Sequence, residues 1–245
     1  VTAMTDVRRV QLLCAWGGPA TLVVALGGWA LAGILPLPPG PTDGLAEIVA
    51  FYGSPTTRAG LVVTSVGMCL PAPLLAAISV QMLRMEGRVP ILSFLQLLLG
   101  AVTVVLLLVP MLLLGVAGLR ADRSPELVQL LHDTAWLLFL TPVAPFALQN
   151  ITIGLAVLGD RSGVQVFPRW SAYANFWAAF LFCPAVLAYF FLRGPFAWNG
   201  VFVFWLGTVV YAAWLFGMFL LVRRAVLADP AGVVAPAPAA TAPAS

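Results

Sequence analysis

The chain has 245 residues and a net charge of +3, with 62% of its residues hydrophobic and only 9% charged, against about 25% charged in soluble globular domains. An aqueous fold cannot hide that much apolar surface, so a soluble domain is excluded and an all-α, polytopic integral membrane bundle is predicted. All 12 basic residues are arginines, placed singly or in pairs, so no basic patch exists for nucleic acid or for a polybasic lipid site.

In chain order, residues 1–11 read as a cytoplasmic N-terminus. The arginine-only basic set and Val1 fit a GC-rich bacterial gene with a GTG start. Arg8 and Arg9 before an apolar run imitate a signal peptide. The run from Leu12 to Leu35 is nevertheless about 24 residues long, beyond the roughly 7 to 15 of a signal core, so it is expected to be retained as a span.

Six transmembrane spans are placed near 12–35, 59–83, 91–118, 131–158, 172–193 and 199–224. With the N-terminus inside, Arg8, Arg9, Arg84, Arg88, Arg161, Arg169, Arg223 and Arg224 are cytoplasmic, and only Arg58, Arg120, Arg123 and Arg193 are outside. That asymmetry puts both termini inside a cell (inner) membrane.

After the first span, prolines stop the helix and Thr42 is positioned to cap a short helix over about 43–52. Leu45, Ile48, Phe51 and Tyr52 share one face of it, with Asp43 and Glu47 turned to water, so it should lie at the outer interface or cover the mouth of the bundle. Before the fourth span, "RSPEL" offers Ser124 as cap, Pro125 at the first helical position and Glu126 against the positive helix end. The resulting helix, Pro125 to Leu158, measures roughly 50 Å and must protrude, tilt or bend in a hydrocarbon core of about 30 Å. The turn "RGPFAWNG" joins the last two spans, and the Ala/Pro-rich segment 225–245 reads as a disordered cytoplasmic tail.

Trp16 and Trp170 on the inner side, and Trp29, Trp136 and Trp198 on the outer, fit interfacial aromatic belts. Cys14, Cys69 and Cys183 fall inside apolar runs and read as small core residues, neither disulfides nor metal ligands.

Pro71, Pro73, Pro142, Pro145 and Pro184 fall near mid-bilayer, with Pro110 somewhat outward, so four spans are predicted to kink at similar depth. Just inside that layer lie Gln149 and Asn150, Asn175 and Gln96, with Gln81 nearer the cytoplasmic edge and Thr141 beside the prolines. An amide facing lipid loses its water partners without replacement, so these should turn inward, either lining a ligand cavity or gluing helices together.

His132 and Asp133 are the deepest titratable groups. Adjacent helical residues point about 100° apart, so a mutual hydrogen bond is not expected; Asp133 should instead meet Arg120, Arg123 or Arg193. No formal charge stands at the centre of a span, which disfavours ion-coupled transport. One histidine is too few for a two-histidine zinc helix or an oxygenase centre, and no phosphate loop is present, so no metal or cofactor is expected.

"EIVAFYGSPTTRAG", "RSPELVQLLHDTAWLLF", "FPRW" and "GPFAWNGVFVFW" together resemble an uncharacterised family of six-span bacterial inner-membrane proteins, over residues 12–224. The resemblance implies the six-span layout and brings no activity and no functional residues. The functional expectation is a non-catalytic membrane component that binds or passes an uncharged hydrophobic small molecule. Two alternatives stand: a structural or accessory subunit of a membrane complex, and an enzyme with an outer-face site at His132 and Asp133.

Overall fold

The computed structural model describes residues 2–87, 89–120 and 122–229, and every regular element among them is helical. Six helical stretches are long and apolar enough to cross a membrane: Val7–Ala32, Pro55–Glu86, Ile91–Ala117, Pro125–Leu158, Trp170–Tyr189 and Val201–Ala228. The all-α bundle therefore stands, with boundaries shifted by a few residues. The last helix runs on through 225–228, and the rest of the expected tail, 230–245, lies outside the described residues.

Most spans are interrupted. The first comprises α1 (Thr2–Ala15) and α2 (Gly17–Ala32), broken at Trp16; the second comprises α4 (Pro55–Cys69) and α5 (Pro71–Glu86). At that second break the Leu70 N–H bonds back to the Gly67 carbonyl at 3.1 Å. Pro71 and Pro73 then occupy the first turn of α5, where a missing N–H breaks no helical bond. The third span, α6 (Ile91–Ala117), is continuous. Pro110 sits buried inside it, and the helix runs through it without ending.

The fourth span splits at Thr141–Pro142 into α7 (Pro125–Leu140) and α8 (Val143–Leu158), which resolves its excess length by a break. Pro145 lacks the N–H that would bond the Thr141 carbonyl, and the Val143 N–H takes that acceptor at 2.7 Å. The fifth span begins as α9 (Trp170–Phe182) and tightens into a 3-10 turn over Cys183–Tyr189 that carries Pro184. The sixth opens with a π-turn over Val201–Trp205 before α10 (Leu206–Ala228), a distortion that no proline announces.

Contacts at the two ends show which segments share a side of the bundle. At one end Arg8 donates to the Leu227 carbonyl at 2.9 Å, Arg84 pairs with Asp229 at 3.5 Å, and the Arg161 N–H bonds the Met85 carbonyl at 3.1 Å. Both ends of the membrane domain therefore meet on one side, as an even number of crossings requires. At the same end Glu86 closes the turn between the second and third spans. Its carboxylate accepts the Leu92 N–H at 2.8 Å and the Ser93 N–H and hydroxyl at 2.7 and 2.5 Å, neutralising the exposed N–H groups of α6. Glu86→Ala should lower stability by about 1–2 kcal/mol, read as a lower Tm in detergent.

At the opposite end α3 (Leu45–Gly53) covers the bundle. Its buried Ile48 and Tyr52 point inward, while Leu45 is exposed. The helix starts after Gly44, and neither Thr42 nor Ser124 makes a side-chain cap: Asp43 instead accepts the Gly40 N–H at 2.6 Å, and Pro125 and Glu126 open α7 without help from the serine hydroxyl.

The tightest helix pair is α2 with α4. A Cβ on Gly28 would lie 2.7 Å from the Thr64 nitrogen, and one on Gly67 would lie 2.6 Å from the Ala25 nitrogen. Small residues every few positions let the backbones touch, which replaces the hydrophobic drive that is absent between helices in lipid. On the outside of the bundle Phe94, Leu98, Val105 and Leu112 of α6 and Val62 and Val66 of α4 are exposed, a surface suited to lipid tails. Cys14 is half-buried against the core, whereas Cys69 and Cys183 are exposed and so are not core residues; their sulfur is apolar enough to face lipid.

Candidate functional site

Of the polar residues singled out in the spans, Gln81, Gln96, Thr141, Gln149, Asn150, Asn175 and His132 are buried, and Asp133 is half-buried. They do not form one cluster. Asn150 bonds its own helix, and each of the other four amides meets a side chain of a neighbouring helix, so the pairs stitch helices together two at a time.

On α6, Ser93, Gln96, Gly100 and Thr103 share one buried face. The Ser79 hydroxyl of α5 serves both the Ser93 carbonyl, at 3.0 Å, and the Gln96 Oε1. Gln149 of α8 lies over Gly100, where an added Cβ would come within 3.1 Å of its Nε2, and its Oε1 is 3.5 Å from the Thr103 hydroxyl. Asn150 donates to the Phe146 carbonyl of its own helix at 2.9 Å. Asn175 accepts the Trp214 indole N–H at 3.0 Å, tying α9 to α10. Gln81 bonds Gln11 of α1 at 2.6 Å and accepts from Arg84 at 2.6 Å. Thr141 donates to the Leu137 carbonyl at 2.7 Å and shares a 2.8 Å hydrogen bond with the Tyr189 hydroxyl across the two proline breaks. Ser79, Thr103, Trp214 and Gln11 are partners the sequence does not announce, because each acts across helices distant in the chain.

The open space lies elsewhere. A cavity of about 100 Å³ sits at the level of the helix breaks, and every span contributes wall: Leu22 and Trp29 from the first, Met68 from the second, Thr103 and Leu106 from the third. Pro142 and Phe146 of the fourth, Phe182 and Ala185 of the fifth, and Val203, Gly207 and Tyr211 of the sixth complete it. None of the five amides lines it, nor does Thr141, and no charged residue does. The amides thus occupy the packing positions of the bundle, and Gln149 reaches the cavity only through Thr103.

Its shape follows from α2 and α10. They touch near one end, where a Cβ on Gly18 would lie 2.9 Å from the Leu215 carbonyl, and at the other, where Trp29 stacks on Phe204 at 5.5 Å. Between those contacts the helices part, and the half-exposed Leu22 and Leu26 face the half-exposed Thr208, Tyr211 and Ala212 along a mouth toward the lipid. The π-turn at the head of α10 supplies Val203 to the cavity wall, and the 3-10 turn that ends the fifth span supplies Ala185.

Above the cavity, under α3, is an aromatic plug. Trp136 stacks on Trp198 at 5.1 Å and is 6.5 Å from Trp29, and all three indoles are buried. The belt placement of Trp29, Trp136 and Trp198 is therefore corrected: they are core, whereas Trp16 and Trp170 are exposed. The turn after the fifth span dips inward to deliver Trp198. Gly200 permits this, since a Cβ there would lie 2.5 Å from the Pro195 carbonyl.

His132 closes the plug. Its Nε2 is 3.1 Å from the Pro39 carbonyl and its Nδ1 is 2.6 Å from the Tyr52 hydroxyl. A carbonyl can only accept, so Nε2 carries the proton, Nδ1 is the acceptor, and Tyr52 donates. Burial above all pushes the Tyr52 phenol up from its ordinary value, which keeps that donor protonated at neutral pH. Both ring nitrogens are thus committed to holding the outer loop and α3, and neither is left to move a proton in the arrangement described. Asp133 forms no ion pair with Arg120, Arg123 or Arg193 among the described residues, and its buried Oδ1 has no partner; the expected outer ion pair is not made. Among the described residues no group of histidine, cysteine and carboxylate side chains could hold a metal ion.

No family model, curated protein or solved structure matches the chain.

Proposed function

We propose that this membrane protein binds an uncharged hydrophobic small molecule in the central cavity, taking it from the bilayer through the mouth between α2 and α10. The observation that carries this reading is the cavity itself: apolar, free of charged residues, walled by all six spans and open toward lipid. A dry apolar cavity of about 150 Å³ suffices to hold benzene. At about 100 Å³ the space here is smaller, so it fits a short chain segment, with the remainder of a longer molecule lying in the mouth. The same proposal places the protein in a bacterial inner membrane with both termini cytoplasmic, supported by the arginine asymmetry and by the meeting of both chain ends at one side. Membership of the six-span family that the short strings resemble belongs to it as well.

Protein in nanodiscs, irradiated with a diazirine-bearing short hydrocarbon, should be labelled saturably on peptides of α2 and α10. Gly207 lines the cavity, and a Cβ there meets nothing within 4 Å, so Gly207→Phe should still give a monodisperse folded protein and lose about tenfold or more of that labelling as the ring takes up the space. Labelling that does not saturate, or that Gly207→Phe leaves intact, overturns the proposal.

A further inference from the structure

We infer that the bound molecule carries a hydrogen-bond-accepting oxygen, such as the carbonyl of an apolar ketone or ester, and that the indole N–H of Trp29 is the group that reads it. The inference rests on the cavity being a binding site. It goes further by naming the ligand's polar group and the residue that recognises it.

Trp29 borders the cavity, is only 3% exposed, and has no hydrogen-bond partner for its Nε1. A buried donor without an acceptor bears an uncompensated desolvation cost, and an oxygen brought by a ligand removes it. The other polar groups of the wall are poorer candidates. The hydroxyl protons of Thr21 and Thr103 are already given to the Gly17 carbonyl at 2.7 Å and the Leu99 carbonyl at 2.9 Å. Thr208 and Tyr211 are half-exposed at the mouth, where they meet whatever passes. Trp198 also carries an unpartnered N–H, and the Trp136 N–H lies by the Tyr52 hydroxyl, but neither residue borders the cavity. An indole N–H donates and cannot accept, so the site favours a carbonyl or ether oxygen over a pure hydrocarbon and offers no acceptor at that end for an alcohol's proton. The stacking of Trp29 on Phe204 and its edge contact with Phe139 at 5.7 Å hold the ring in place.

The test is competition against the diazirine probe by methyl pentyl ketone and by heptane, each corrected for partition into empty nanodiscs. In the unmodified protein the ketone should compete about 3- to 10-fold better, the worth of one hydrogen bond. Trp29→Phe should abolish that preference. Because the phenyl ring also enlarges the cavity and disturbs the stack, the protein is also made with an analogue at position 29 in which sulfur replaces the indole N–H. That variant should bind heptane as before and lose the preference for ketone. If both competitors displace the probe equally in the unmodified protein, or if the sulfur analogue keeps the preference, the role of Trp29 is rejected while the cavity reading survives. If neither displaces it and labelling never saturates, the cavity reading itself has failed.

Discussion

Gly60→Leu is expected to abolish the folded protein, whereas Gly27→Leu, on the helix that Gly60 touches, should leave it intact. A Cβ on Gly60 would strike the Ala32 nitrogen and the Gly28 carbonyl and sit 2.7 Å from the Ala32 Cα. All three are backbone atoms of α2, which cannot rotate away as a side chain can. Relief requires α2 and α4 to separate, and that separation breaks the 3.0 Å bond from the Thr57 hydroxyl to the Ala32 carbonyl. It also pulls Ala25 and Trp29 from the cavity wall. The cost should exceed about 4 kcal/mol, the range reserved for backbone overlap and broken networks. Gly27 has nothing within 4 Å of an added Cβ and faces outward, and leucine is the better helix former there. Size-exclusion profiles of the two variants in detergent decide the matter: a monodisperse Gly60→Leu peak with wild-type Tm contradicts the close packing.

His132→Ala should cost about 2–5 kcal/mol and loosen the outer cover without touching the cavity wall. The substitution removes a fully buried ring packed on Trp198 at 5.3 Å, leaves the Pro39 carbonyl and the Tyr52 hydroxyl without their partner, and so releases the loop and α3 together. Tyr52→Phe removes one of those bonds and should cost less, about 1–3 kcal/mol, chiefly by leaving Nδ1 unpaired. Hydrogen exchange over residues 36–53 distinguishes this from a catalytic role for the histidine. Faster exchange in both variants, with photolabelling of the cavity retained in Tyr52→Phe, supports the clasp. Unchanged stability and exchange in His132→Ala would show that the ring holds nothing.

The residues that sequence reading interpreted well are those whose chemistry acts locally. Pro71, Pro142 and Pro184 interrupt their spans because a missing N–H is felt within one turn, whatever surrounds it. Pro110 removes the same N–H without ending α6, because the turns on either side continue the helix. The amides were legible as groups that must leave the lipid, and they are buried. Their partners, Ser79, Thr103, Trp214 and Gln11, were not legible, because hydrogen bonds between helices depend on rotation about each helix axis. The three outer tryptophans misled for a related reason. An indole near the end of a span is equally suited to the headgroup layer and to the space beneath a covering helix, and only the presence of α3 and the inward turn at Gly200 selects the latter.

Composition and spacing by themselves determined that this chain crosses oil six times, with its ends on one side and no formal charge at mid-depth, because transfer into hydrocarbon prices each residue almost independently of its neighbours. The tertiary structure alone decided where empty space remains. A cavity belongs to no residue; it is the gap left among the six spans between the contacts at Gly18 and at Trp29.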